Sequence, residues 1–353
     1  MDIVLEACDT FAFDYAYAKF LPAGPAPYEL LSGASNDTTA ATAAASIWQY
    51  HPATSYFSLT PSPAAYLSAW PRDNTYRQFI SLFFITWFFG ILLYFIFATL
   101  SYVFVFDKTT FKHPKFLKNQ IRMEIRQANE AMPFMSVLTA LCFVAEVQGY
   151  AKLYDRLDAA PFYYYNLLQF PLFLLFTDCG IYFIHRGLHH PFVYRNLHKP
   201  HHKWIMPSPY ASHAFHPLDG FAQSFPIHLF PFIFPMQKFA YMAAFVVINI
   251  WTIVIHDGEF VANSPIINGA ACHTMHHLYF NYNYGQYTTL WDRLGGSYRK
   301  PDIELFYKEQ KMAKEQWDKQ IQEMESILKE VEGEDDREYG SGSEVKTFEK
   351  KNL

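Results

Sequence analysis

The chain has 353 residues, of which 51% are hydrophobic, 19% aromatic and 17% charged, with a formal net charge of −5. So apolar a composition is unusual for a soluble protein, and so small a charge excludes the basic surface a nucleic-acid partner needs. The four cysteines, Cys8, Cys142, Cys179 and Cys272, form no CxxC pair, which excludes a disulfide scaffold or a thiolate metal site.

In chain order, residues 1–77 are mixed and rich in Pro, Ala, Thr and Tyr. No basic stretch precedes an apolar core at the N-terminus, so no cleaved signal peptide is expected. Residues 32–46 are low-complexity and read as a mobile loop. They contain Asn36-Asp37-Thr38, the chain's one glycosylation sequon, a triplet common by chance. Residues 79–106 hold no charge and exceed the ~20 residues that cross a bilayer. Residues 133–145 are a shorter apolar run that stops at Glu146. Residues 162–184 span if Thr177 and Asp178 face the protein interior. In residues 221–255, Pro226, Pro231 and Pro235 break the first half and Gln237-Lys238 divide the run, which predicts a helical hairpin in the membrane.

The loop after the first span carries Lys108, Lys112, Lys115, Lys118, Arg122 and Arg126 against Asp107 and Glu124. The positive-inside rule places it in the cytosol, and with it the histidine-rich region and the C-terminus. Residues 1–77 then fall in the lumen. Further on, Trp317, Ile321, Met324, Leu328 and Val331 recur at spacings of four and three. They predict a charged amphipathic helix within 306–332, packed on the cytosolic domain rather than in a coiled coil. Residues 333–353 are acidic and Gly/Ser-rich, a composition of disorder. They end in Lys350-Lys351-Asn352-Leu353, similar to the dilysine signal that retrieves proteins to the endoplasmic reticulum. The expected fold is an all-α integral membrane protein. About four transmembrane helices are capped by a cytosolic, helical, histidine-rich di-metal domain within residues 78–305.

Of the 15 histidines, 13 lie between His185 and His277, where an even spread would put roughly four. Three boxes stand out: His185, His189 and His190; His198, His201 and His202; and His273, His276 and His277. Residues three and four apart share a helix face. The spacing therefore predicts that His185 and His189 bind one metal, with His190 rotated away unless the helix distorts. It predicts that each of the other boxes points its three rings one way. Eight such ligands suffice for two metals. Imidazole suits iron, copper or zinc, and buried imidazoles without a metal would be costly and acid-labile. The boxes hold no carboxylate, unlike soluble di-iron bundles. Neutral ligands leave the metal charge uncompensated and favour a strongly electrophilic oxidant, which attack on an aliphatic C–H bond needs. His256, at the end of an apolar run, is a further candidate ligand, as is His216. His213 is a weaker match, His228 reads as structural, and His51 and His113 are unassigned. Asp178, Asp219, Asp257 and Asp292 are candidates to orient ligand imidazoles. Asp292-Arg293 before Gly295-Gly296 reads as a helix end with a local ion pair.

The strings HRGLHHP, HKPHHKW, SPYASHAFHPLDGF, IHDGEF and HTMHHLYFNYNYGQYTTLWDRLGGSYRKP resemble the sterol C5-desaturase (lathosterol oxidase) family of the fatty-acid hydroxylase/sterol desaturase superfamily. The likeness covers roughly residues 77–305. It implies oxidation of a Δ7-sterol of the episterol or lathosterol type to a Δ5,7-diene, in sterol and specifically ergosterol biosynthesis at the endoplasmic reticulum. It implies two non-haem irons (zinc in a purified sample is equally compatible with the ligands) and O2. Electrons would come from NAD(P)H through a separate cytochrome b5 and its reductase, since no fused His-Pro-Gly-Gly string is present. By match, His185, His189, His198, His201, His202, His273, His276 and His277 carry over as iron ligands, and His256 fits an additional one. Hydroxylase relatives place the second ligand of the first box one residue later, which leaves His190 open. Tyr279, Phe280, Tyr282, Tyr284 and Tyr287 line the sterol entry or form a plain aromatic core; Tyr279, Tyr282 and Tyr284 are the substrate-binding candidates. A sterol C4-methyl oxidase or fatty-acid hydroxylase would keep the same boxes. A membrane metal carrier would place its ligands within the spans, and a haem protein needs only two axial histidines.

Overall fold

In the computed structural model, residues 1–23, 48–260, 264–302, 306–307, 314–331 and 337–339 are described. The low-complexity loop, the Asn36 sequon, the terminal dilysine and most of residues 333–353 lie outside them. The described residues are mostly helical. In order, the elements are α1 (Asp2–Cys8), a π-helical turn Asp9–Phe13, α2 (Asp14–Phe20), α3 (Thr75–Phe104), α4 (Gln120–Val147), β1 (Leu153–Tyr154) and α5 (Tyr165–Leu188). A second π-helical turn, Tyr194–His198, leads into the single turn α6 (Lys199–His202). Then come α7 (Pro217–Ile233), β2 (Met236–Gln237), α8 (Lys238–Val254), α9 (Ala270–Tyr279), α10 (Leu290–Leu294) and α11 (Lys314–Val331).

Three helices, α3, α4 and α5, are long and apolar enough to cross a membrane. About four were expected. The difference lies in residues 221–255, which form α7 and α8, each of 17 residues. At 1.5 Å per residue such a helix reaches about 25 Å, short of the ~30 Å hydrocarbon core. The predicted division into two helices is present, but not every proline breaks the chain. α7 runs through Pro226 and Pro231, and the chain turns at Pro235. The run at 133–145 forms the second half of α4, whose first half is polar.

The chain divides into two compact units. The first comprises Met1–Phe89, Ser136–Asn166 and Pro231–Met242. Here a buried ion-pair group holds the π-helical turn Asp9–Phe13 and α2 to the start of α3. Arg77 reaches Asp9 at 2.9 Å and Asp14 at 2.6 Å, and Arg72 reaches Asp14 at 2.5 Å. Each charge is paired, which is the condition for burying it. β1 and β2 pair in parallel over two residues.

The second unit comprises Gly90–Met135, Leu167–Phe230 and Ala243–Leu353. Its core gathers Tyr194, Ile205, Met206, Met275, Leu278, Tyr279 and Phe280 with Met324 and Leu328 of α11. The amphipathic stripe of α11 thus buries its centre against α9, as a packed helix.

Candidate metal centre

All three histidine boxes lie in the second unit, on short helical pieces whose turns set the direction of each ring. His185 stands on the last turn of α5, and His189 follows one turn on, its N–H bonded to the His185 carbonyl at 3.2 Å. His198 closes the π-helical turn, and His201 and His202 sit on α6. His273, His276 and His277 share α9, and His256 lies two residues past α8.

The nine rings form two groups. His185, His189, His198, His202 and His276 bring one ring nitrogen each to within 4.8 Å of one another, and so do His201, His256, His273 and His277. Both groups consist of imidazoles alone. The second and third boxes are each split between the groups, contrary to the expectation that each would face one way. His198 and His202 are four apart and share one face of the helical run. His201, one residue before His202, is swung by about 100° to the other group. On α9, His273 and His277 lie four apart on one face, and His276 falls on the next.

Hydrogen bonds fix which nitrogen each ring offers. A backbone carbonyl only accepts, so a ring nitrogen bonded to it carries the proton. His185 Nδ1 donates to Tyr284 O at 3.0 Å, His256 Nδ1 to Thr252 O at 2.6 Å and His276 Nδ1 to Tyr282 O at 2.7 Å. Asp219 Oδ2 takes His198 Nδ1 at 2.8 Å. With these protons on Nδ1, the Nε2 atoms of His185 and His198 present lone pairs to each other at 3.1 Å. His202 and His276 face Nε2 to Nε2 at 3.0 Å. His273 Nε2 lies 2.9 Å from that of His256 and 3.1 Å from that of His277. One proton on His273 serves one of those neighbours, not both. A metal about 2.0–2.1 Å from two nitrogens at a right angle sets them about 3.0 Å apart. The donor set, its spacing and its opposed lone pairs therefore fit a cation in each group.

Burial, reinforced by neighbouring imidazoles, keeps His189, His201, His202, His273 and His277 neutral far below their usual range. Burial also lowers His256 to about 4 and His276 to about 3. Neutral imidazole is the ligand form.

Carboxylates act one step back. Asp219 orients His198 directly. Asp178 accepts from the N–H groups of Gln286, Tyr287 and Thr288 and from the Thr288 hydroxyl. Asp292 accepts from the N–H groups of Tyr284 and Gly285 and from Ser297 Oγ. These two shape the loop whose Tyr284 carbonyl holds His185. The expected Asp292–Arg293 pair is replaced: Arg293 donates to Thr289 Oγ1 and Pro265 O, because the backbone amides claim the Asp292 oxygens. Asp257 caps the backbone at Glu259 N.

Other candidates fall elsewhere. His190 is exposed ahead of the short turn Pro191–Val193. His216 uses Nδ1 to accept from Leu218 N, so it caps α7. His213 bonds Ser212 Oγ and Asn249 Oδ1, and His228 packs between Phe221 and Phe245. Tyr279 belongs to the core with Arg299 stacked 3.7 Å from its ring centre. Tyr282 contributes its carbonyl to His276, while Tyr284 lays its ring against His185, His189 and His276. Sequence reasoning missed Phe215, stacked on His201 at 4.2 Å, and Tyr194, which lies against His189, His198 and His202. It also missed the carbonyls of Thr252, Tyr282 and Tyr284. Of these, only Thr252 carried a signal, one turn before a helix-terminal histidine.

The fatty acid hydroxylase family profile matches residues 170–297, which contain both groups. A Δ7-sterol 5(6)-desaturase of Aspergillus fumigatus is 65% identical over 98% of this chain and 99% of its own length. A probable Δ7-sterol 5(6)-desaturase of Neurospora crassa is 64% identical over 96% and 97%. The Δ7-sterol 5(6)-desaturase of Saccharomyces cerevisiae is 48% identical over 98% and 99%. No solved structure matches the chain.

Proposed function

The chain belongs to the Δ7-sterol 5(6)-desaturase family, and from that premise we propose that its two histidine groups would hold two iron ions and that the enzyme desaturates the sterol with O2. The reaction removes one hydrogen each from C5 and C6. With O2, two electrons and two protons it yields the C5=C6 double bond and two waters. The product belongs to ergosterol biosynthesis.

The observation that carries the di-metal reading is the convergence of nine imidazoles into two groups with opposed Nε2 atoms about 3 Å apart. Bound iron supplies O2 activation and the oxidising power for C–H cleavage. The chain's own residues do the rest. With imidazoles alone in both groups, no carboxylate compensates the metal charge. Asp219 and the carbonyls of Thr252, Tyr282 and Tyr284 hold four rings in one tautomer. Phe215, Tyr194 and Tyr284 wall the rings with carbon and exclude water.

Electrons come from NAD(P)H by way of cytochrome b5 and its reductase. The site faces the cytosol from the endoplasmic reticulum membrane, which the cationic loop after α3 supports. The test is the sterol profile of a C5-desaturase-deficient cell expressing the chain, with metal analysis of the purified protein. Restored Δ5,7-sterols, and their loss in His276→Ala at normal protein level, are expected. A hydroxylated sterol without diene would favour a hydroxylase, and a purified chain without bound metal would defeat the di-metal reading.

A further inference from the structure

α6 is one turn long, yet it supplies a ligand to each group: His201 to one and His202 to the other. A helix leaves its last four carbonyls without internal partners. α6 is the last turn of a helical run that begins at Pro191: Lys199 N bonds back to Tyr194 O, while the four carbonyls of α6 look forward, past the end of the run.

The partners of these carbonyls come mostly from far away in the chain. Pro200 O accepts from Gln127 Nε2 at 3.1 Å. His201 O accepts locally, from Lys203 N and from Trp204 N at 3.4 Å. His202 O accepts from Arg337 Nη2 at 3.1 Å, and the carbonyl of Lys203, one residue past α6, from Arg337 Nε at 3.3 Å. Gln127 is itself fixed by a second bond to Ala214 O at 2.8 Å. It lies on α4 two turns from Gln120, which holds Met206 O at 2.7 Å, and one turn from Glu124, which takes the Ser208 hydroxyl. Arg337 arrives on a short strap. Lys118 N donates to Glu338 O at 3.2 Å, Tyr339 forms a bridge with Leu117, and Lys115 Nζ sits 4.4 Å from the Tyr339 ring centre.

We infer that Gln127 and Arg337 are positioning residues that clamp the carbonyl end of α6 and thereby set the ligand geometry of both metal groups at once. Arg337 suits the task because its planar fork spans two adjacent carbonyls and its charge matches the negative end of a helix. The part of the C-terminal segment that composition assigns to disorder thus includes a structural component of the metal centre. The inference rests on the di-metal reading.

The test uses full-length protein in detergent, loaded with cobalt(II), whose ligand-field absorption reports the geometry of each site. His256→Ala, which removes a ligand from one group, should alter the signal of one site. Arg337→Ala and Gln127→Leu should each alter the signals of both and speed cobalt release to a chelator by about tenfold, the lower end of the range for losing a supporting bond. Arg337→Lys should restore part of the loss, since a lysine also reaches helix-terminal carbonyls. Melting midpoints measured without metal separate geometry from general unfolding. If wild type takes up no cobalt, the di-metal reading fails. If wild type loads and both clamp variants keep wild-type spectra and release rates, or perturb one site alone, the clamp is overturned. A spectrum that changes only in step with a lowered metal-free midpoint, without rescue by Arg337→Lys, also overturns it.

Discussion

His201 and His202 are neighbours in the chain and ligand candidates for different metals. His202 Nε2 lies 3.0 Å from that of His276, while His201 belongs with His256, His273 and His277. The two substitutions therefore separate the groups. His202→Ala leaves four imidazoles in its group, and His201→Ala leaves three. Metal analysis of the purified variants should show the larger loss for His201→Ala, confined to one metal. Sterol profiling should show diene formation down about 100-fold or more for both. Equal metal content in the two variants would contradict the partition.

Asp219 fixes His198 and is itself held by Gln223 Nε2 at 2.8 Å. Asp219→Asn keeps an acceptor oxygen but loses the charge, so metal affinity should fall by about tenfold. Asp219→Ala should fall by about 100-fold. Chelator competition measures both, and parity between the variants would show that the carboxylate plays no orienting role.

Gly295 has no room for a side chain. A Cβ there would land on the Tyr182 hydroxyl, which accepts from Arg186 at 2.6 Å and pairs with Ser297 at 3.1 Å. Gly295→Ala should cost about 2 kcal/mol through overpacking. Gly187, in α5, has nothing within 4 Å of its Cβ position. Gly187→Ala should raise stability by about 0.5–1 kcal/mol through helix propensity. Thermal unfolding of the two purified variants should shift in opposite directions.

His113 is buried, its ring edge-on to Trp317 of α11 at 5.5 Å, and its Nδ1 accepts from Lys115 N. Burial, and then the Lys115 charge, lower it to about 4, below the ~6.5 of an unfolded chain. The folded state thus binds its proton later than the unfolded state. Stability from neutral His113 is complete above about pH 6.5 and drains away as pH falls towards 4. Between pH 7 and pH 5 this amounts to about 2 kcal/mol. His113→Phe should remove that part of the acid sensitivity in metal-free melting curves; unchanged sensitivity would place the titration elsewhere.

The spans were legible because uncharged runs have few alternatives to a bilayer or a core, and the boxes because a clustered residue type at helical spacing is rare. The partition of the boxes was not legible. Spacing places the rings of one box along a helix, but which of them meets a ring from another box depends on how α5, α6, α8 and α9 pack, and that packing has no counterpart in composition. The supporting carbonyls of Tyr282 and Tyr284 were hidden for a related reason. Any residue offers a carbonyl, and the conformation that aims these two arises from the Asp178 and Asp292 bonds to the loop that follows. The two-helix form of residues 221–255 was readable, and so was its division at Gln237-Lys238, where α8 begins; what was not readable is that α7 accommodates Pro226 and Pro231.

The sharing of α6 and α9 between the groups has a consequence for assembly. A cation entering either group would immobilise both pieces of backbone. When the five-histidine group fills first, those pieces carry three of the four nitrogens of the other group, His201, His273 and His277; in the reverse order they carry two of five, His202 and His276. The entropy of ordering them is spent once, so the second ion arrives at a prepared site. Titration of the empty chain should then rise steeply, with half-filled molecules scarce, and the centre should empty as it fills, in pairs.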